Sequence, residues 1–240
     1  MEKMDRLWPD GYRFYFDDQL FQPGTDSFLL GAFPSLRRRE QVCDLGGGTG
    51  LLGLLLLARE PAMHVTEVEL QPAACALCQR NIALNHLEEQ MTCLEADLRD
   101  LSPLRAGSFD LVVANPPYFA DGTGFHARNE ARKNARTELT CTLEDVLRAA
   151  ARLLRWGGRL ALVFRTERLA ELLALCRDQK MEPKRLRFIQ KNGTSAPSLL
   201  LLECRRGGRS GLTVEAPLLL QEADGSPTAE MDTIYFREKR

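Results

Sequence analysis

Short apolar runs alternate with longer helical stretches along most of this chain. Gln41-Val42-Cys43-Asp44-Leu45 reads as a short buried strand, and the apolar run Leu51 to Ala58 as a buried helix. The same reading places strands near residues 41–45, 64–69, 91–95, 109–114, 159–164, 184–189 and 198–204, with helices near 51–59, 72–85, 142–155 and 166–178. Strands alternating with helical patterns predict βαβ units and a parallel sheet. The last two strands are joined through Asn192-Gly193-Thr194-Ser195 with no crossover helix, so they are expected to run antiparallel. The helix from Thr142 is expected to stop at Trp156-Gly157-Gly158. The predicted class is α/β and Rossmann-like, with seven mostly parallel strands and a C-terminal antiparallel hairpin.

The flanks follow a different pattern. In residues 1–40, Tyr12 to Phe16 alternates loosely and suits a small strand. Thr25-Asp26 is read as the cap of a short helix from Ser27 to Phe33, which Pro34 stops. Forty residues are too few for a separate domain, and this segment is expected to cover a ligand. Residues 41–206 form the main domain. The tail, 207–240, contains Pro217, Gly225 and Pro227 without periodicity and is expected to wrap the surface or be partly mobile. At 240 residues the chain can bury one full α/β core.

Candidate chemistry begins where strand 41–45 meets Gly46-Gly47-Gly48-Thr49-Gly50. In doubly wound sheets, ligands sit at the C-terminal ends of the strands. Glycines permit a tight turn there and a close approach to the main chain. Gly48-x-Gly50-x-x-Gly53 also fits the dinucleotide fingerprint, so the turn alone leaves a nicotinamide dinucleotide and S-adenosylmethionine both open. Glu69, about 20 residues on, is placed to hold ribose hydroxyls. Glu67 carries the same charge and is expected on the strand's other face. Asp44 suits a cationic amino-acid moiety and would sit badly beside a pyrophosphate. Asp97, closing strand 91–95, can accept a hydrogen bond from adenine's amino group. These acids favour S-adenosylmethionine.

The fourth strand delivers Asn115-Pro116-Pro117-Tyr118 to the same edge. Two prolines hold the backbone extended, so an amide, a free carbonyl and an aromatic ring are presented together. That set suits a planar –NH2 group. Asn115 and the Pro116 carbonyl accept its hydrogens, and Tyr118 stacks on the ring. Residues 119–140 read as a polar loop beside this site, a possible substrate lid.

Composition narrows the class further. A net charge of −1 excludes a globally basic nucleic-acid binder. Basic residues nevertheless cluster in 125–139 and 178–209, where they can engage phosphates. Seven scattered cysteines suggest reduced thiols in the cytoplasm, and Cys75-x-x-Cys78 is read as helix packing rather than as a metal site. No apolar stretch is long enough for a membrane span.

Taken together, Asn115 to Tyr118, Asp44-x-Gly46-x-Gly48-x-Gly50, Val68-Glu69-Leu70, Ala96-Asp97 and the upstream Gln22-Pro-Gly-Thr-Asp-Ser-Phe-Leu-Leu-Gly31 resemble the Rossmann-like amino-methyltransferases. Within these the chain is most similar to the bacterial family that includes the tRNA1(Val) adenine-37 N6-methyltransferases, over residues 14 to about 205. The resemblance implies an S-adenosylmethionine cofactor held by Thr25, Asp44, Gly46, Gly48, Gly50, Glu69, Asp97 and Asn115. It also implies catalysis by Asn115, Pro116 and Tyr118 on an adenine N6 in RNA, tRNA above all. Methylation of a protein glutamine amide, or of another nucleobase amine, is the alternative. The oligomeric state is left open.

Overall fold

The computed structural model describes residues 1–18, 20, 22–116 and 141–239. A hairpin of β1 (Glu2–Arg6) and β2 (Arg13–Asp17) precedes helix α1 (Thr25–Ala32). Next come β3 (Gln41–Leu45), α2 (Leu51–Arg59), β4 (His64–Glu69), α3 (Pro72–Leu84), β5 (Met91–Glu95) and β6 (Phe109–Ala114). After the undescribed segment, α4 (Leu143–Leu153) leads into β7 (Leu154–Arg165), α5 (Leu169–Asp178), β8 (Met181–Gln190) and β9 (Leu199–Arg206). The tail supplies β10 (Thr213–Val214), β11 (Leu218–Leu219) and α6 (Ala229–Ile234).

One sheet runs β10-β8-β9-β7-β6-β3-β4-β5, with β11 also paired to β8. Strands β5, β4, β3, β6 and β7 are mutually parallel, whereas β9 is antiparallel to both β7 and β8. The seven expected strands are all present. Two more come from the tail, whose two-residue strands extend the β8 edge.

Each sheet face buries its own core. Val42, Val65, Leu111 and Val113 pack with Leu54, Leu55 and Leu30 under the first three helices. Helix α2 is apolar on every side and correspondingly buried from Leu51 to Leu57. On the opposite face Cys43, Leu45, Val112 and Leu160 pack with Val146, Leu147 and Leu172 of α4 and α5.

Two local expectations are corrected. Helix α1 begins at Thr25, and Gly24 occupies the cap position with no side-chain hydrogen bond. Helix α4 does start at a capping box of Thr142 with Asp145. It ends at Leu153, however, and residues 154–158 already belong to β7. Gly157 (φ +80°) and Gly158 lie where the β6–β7 register shifts. A Cβ on Gly158 would lie 2.9 Å from the Arg155 carbonyl and 3.2 Å from that of Asp110. The glycine pair therefore serves strand approach, not helix termination.

The N-terminal hairpin is fastened to α3 by two asparagines one turn apart. Asn81 accepts from Tyr15 N–H (2.6 Å) and donates to Tyr15 O (2.9 Å), while Asn85 does the same for Arg13 (2.8 and 2.6 Å). Their amides act as a substitute strand along β2. In the tail, Arg185 bonds Glu215 (2.7 Å) and Arg187 grips Glu230 through two hydrogen bonds. Among the described residues no helix is long and apolar enough to cross a membrane.

Candidate active site

Four parallel strands bring the candidate residues to one sheet edge. Ala114 pairs with Leu45, Leu45 with Val68, and Glu69 with Glu95. Asn115, Gly46, Glu69 and Ala96 consequently follow one another across neighbouring strand ends, each about 4.8 Å from the next strand.

The turn after β3 needs its glycines. Gly46, Gly48 and Gly50 have φ of +81°, +55° and +82°, in the left-handed region where a side chain is strained. Gly46 and Gly47 N–H both donate to Val68 O (2.9 and 3.1 Å), and Gly48 N–H donates to Glu69 Oε2 (2.8 Å). Glu69 Oε1 accepts from Gln71 N–H (2.7 Å). The acid proposed for the ribose is thus held at the turn by two backbone donors.

Asp44 and Glu67 lie below the turn. They are paired in register on adjacent strands, and their side chains face each other. Glu67 is therefore on the same face as Glu69, not the other one, because residues two apart in a strand share a side. Its carboxyl is wedged between glycines. A Cβ on Gly47 would lie 2.1 Å from Oε2, and one on Gly53 2.0 Å from Oε1. Gly53, the third glycine of the dinucleotide spacing, here makes room for a buried acid. Burial pushes Asp44 up to about 7 and raises Glu67 well above the carboxylate range. Acids beneath the turn oppose a pyrophosphate, whose binding there relies on positive potential.

Asp97 sits at the end of β5 in a fork of Arg99. Arg99 Nε lies 3.0 Å from both carboxylate oxygens, and Arg99 N–H donates to Oδ1 (2.9 Å). The guanidinium holds Asp97 below the usual carboxylate range. Arg99 Nη2 also donates to Oδ2 (2.5 Å), so both carboxylate oxygens are engaged and an adenine amino group would share them with Arg99.

Asn115 is joined by a residue that the sequence reading missed. Its Nδ2 donates to Ser27 Oγ (3.2 Å), brought there by α1 from 88 residues away. Ser27 is 2% exposed. With the amide nitrogen so engaged, the side-chain oxygen is the atom left to accept, and no hydrogen bond to it is present among the described residues. Thr25 is turned elsewhere, its hydroxyl accepting from Tyr235 OH of the tail (3.1 Å). Asn81 also donates to Thr49 O (2.9 Å), so the N-terminal hairpin, α3 and the glycine turn share one amide. Pro116 is buried. Tyr118, the expected lid and the basic cluster of 125–139 lie outside the described residues.

The second basic cluster is largely committed to the fold. Arg185 and Arg187 tie down the tail, and Lys184 donates to Arg209 O (3.0 Å). Cys75 and Cys78 pack from α3 toward β5, where Cys75 Sγ lies 3.0 Å from Cys93 Sγ. Two cavities open away from the turn. One of about 350 Å³ is lined by Arg99, Asp145, Arg148 and Arg152, and one of about 370 Å³ lies between α1, α2 and α6. Neither reaches Asn115 or the glycines.

A parallel sheet in this order, closed by an antiparallel hairpin and carrying an Asn-Pro corner beside a glycine turn, is that of the Rossmann-like methyltransferases. A family model for the methyltransferase small domain matches residues 16–177, and the chain belongs to that family. It is 32% identical over 189 residues to the tRNA1(Val) (adenine(37)-N6)-methyltransferase of Parabacteroides distasonis, covering 79% of this chain and 78% of that one. It is 33% identical over 221 residues to the enzyme of the same name from Tolumonas auensis, covering 89% and 90%. Among solved structures, protein Atu636 of Agrobacterium tumefaciens, described as a predicted O-methyltransferase, superposes with a TM-score of 0.73 at 24% identity over 88% of this chain and 96% of that one. Geranyl diphosphate C-methyltransferase of Streptomyces coelicolor, solved with S-adenosyl-L-homocysteine, gives 0.53 at 14% identity, covering 71% and 76%. At such identities these structures speak to the fold alone.

Proposed function

We propose that this protein transfers a methyl group from S-adenosylmethionine to the N6 amine of an adenine in tRNA. The observation that carries the reading is the Asn115 amide, anchored through its nitrogen to Ser27 so that its oxygen is available at the edge shared with the glycine turn.

The residues present suit this cofactor. Asp44 Oδ1 is buried with no hydrogen-bond partner among the described residues, as expected of an acceptor that serves a ligand's amino group. Among the described residues nothing lies within 4 Å of a Cβ built on Gly46, which suits a ligand approaching the turn. When bound, S-adenosylmethionine supplies an electrophilic methyl group on a sulfonium; the protein supplies alignment. Asp44 would receive the amino group, Glu69 the ribose hydroxyls and Asp97 the adenine amine.

Adenine N6 is a weak nucleophile because its lone pair is delocalised into the ring. Asn115 Oδ1 and the Pro116 carbonyl would each accept one N6–H, localising the lone pair and directing it at the methyl carbon. As the N–C bond formed, the donor's S–C bond would break to leave S-adenosylhomocysteine, and the extra proton on N6 would pass along one of these hydrogen bonds to water. Tyr118 is assigned to stacking on the base, which must be unpaired or flipped to enter. Alignment of this kind contributes several kcal/mol, up to ~7–11 in the best cases. The names of the two curated relatives support adenine in tRNA over a glutamine amide or another nucleobase amine.

The test is incubation with labelled methyl donor and tRNA from cells lacking the protein, followed by nucleoside mass spectrometry. Label in N6-methyladenosine is expected. Label confined to guanosine or to protein would overturn the substrate assignment.

A further inference from the structure

Glu67 is fully buried, and neither of its carboxyl oxygens has a donor among the described residues. Among the described residues, the ionisable groups that bear on it are all acids: Asp44 and Cys43 from β3, Glu69 of its own strand, Cys93 from β5 and Cys78 from α3. Asp44 is its in-register neighbour across β3 and β4, and Asp44 Oδ1 is likewise without a donor among the described residues. Two buried carboxylates side by side cannot both be ionised, and a proton between them satisfies both. Gly47 and Gly53 hold the Glu67 carboxyl in place, since any Cβ at either would overlap it.

We propose that Glu67 is a positioning residue that remains protonated and donates its hydrogen bond to Asp44, keeping Asp44 the single carboxylate that receives the methyl donor's amino group. This rests on the methyl-donor reading above. Burial raises both acids, and Glu67 further, while the hydrogen bond from Glu67 pulls Asp44 back down. In the free protein Asp44 therefore titrates near neutrality, at about 7. A cationic amino group stabilises its ionised form, so binding expels a proton at lower pH. Affinity then rises with pH up to that titration and levels off above it.

The experiment measures S-adenosylhomocysteine affinity from pH 5.5 to 8 for the wild type, Glu67→Gln and Glu67→Met. The wild type is expected to weaken about tenfold per pH unit below its midpoint. Glu67→Gln retains a donor and should keep that midpoint. Glu67→Met has similar length but no donor, so its midpoint should move up by about one unit, with roughly fivefold weaker binding at pH 7 and about tenfold weaker binding below pH 6. A wild-type affinity independent of pH, an unmoved midpoint in Glu67→Met, or an equal shift in Glu67→Gln overturns the assignment. Should Glu67→Met not fold, calorimetry of the wild type at pH 6.5 in two buffers of different ionisation enthalpy decides. Release of about half a proton or more on binding supports the pair, and none overturns it. No binding at any pH would overturn the methyl-donor reading as well, whereas pH-independent binding overturns only the role of Glu67.

Discussion

At the scale of single residues, the site depends on which atoms are already engaged. Asn115 reaches Ser27 with its nitrogen, which leaves the amide oxygen as the acceptor proposed for the substrate amine. Asn115→Ala should keep S-adenosylhomocysteine affinity within a few-fold while removing nearly all turnover, a loss on the scale of alignment effects. Ser27→Ala should lower kcat by about fivefold and leave donor affinity unchanged, as expected for one neutral hydrogen bond of about 1 kcal/mol. Steady-state kinetics with equilibrium binding separates the two, and an equal loss of donor affinity in either variant would contradict these roles. Asn115 was legible because a strand, two prolines and an aromatic ring fall in one short run. Ser27 was not, because the 88 residues between them carry no local signal of the contact. Glu67 was legible in principle, since the period of two in a strand puts it beside Glu69; its neutral state follows from burial, which only the folded chain displays.

At the scale of elements, strands β3 and β6 were readable because buried parallel strands are short apolar runs bounded by turns. The glycine pair after α4 misled because Gly157 and Gly158 serve a shifted β6–β7 pairing, which has no sequence signature distinct from a helix stop. The docking of β2 was likewise invisible, being made by Asn81 and Asn85 on α3. These two asparagines allow a comparison. Asn81→Leu leaves the Tyr15 and Thr49 backbone groups without their amide partner and should cost ~1–3 kcal/mol of stability. It should also weaken S-adenosylhomocysteine binding, because Thr49 belongs to the glycine turn. Asn85→Leu severs the hairpin contact and a hydrogen bond to Asn81 O but none to the glycine turn, and should lower stability without changing that affinity. Chemical denaturation and binding on both variants would test this, and identical binding defects would contradict a specific link from Asn81 to the turn.

At the scale of the whole molecule, the two ends of the chain meet over α1. Tyr235 stacks on Phe28 at 4.4 Å and donates to Thr25, while Phe236 lies 5.0 Å from Trp8. The tail thus braces the helix that carries Ser27, a packing role its aperiodic sequence did not announce. Charge counts were a poor guide for the same reason. Arg185 finds Glu215 30 residues away and Arg187 finds Glu230 43 away, so part of a basic cluster in sequence became internal ties. What unites these levels is a single cleft in which the donor and the Asn-Pro corner face each other. The direct measurement is a crystal structure with S-adenosylhomocysteine. The account predicts the amino group on Asp44, the ribose on Glu69, and the sulfur facing Asn115 across a gap wide enough for one planar amine. Sulfur directed away from Asn115, or a ligand bound outside the glycine turn, would contradict it.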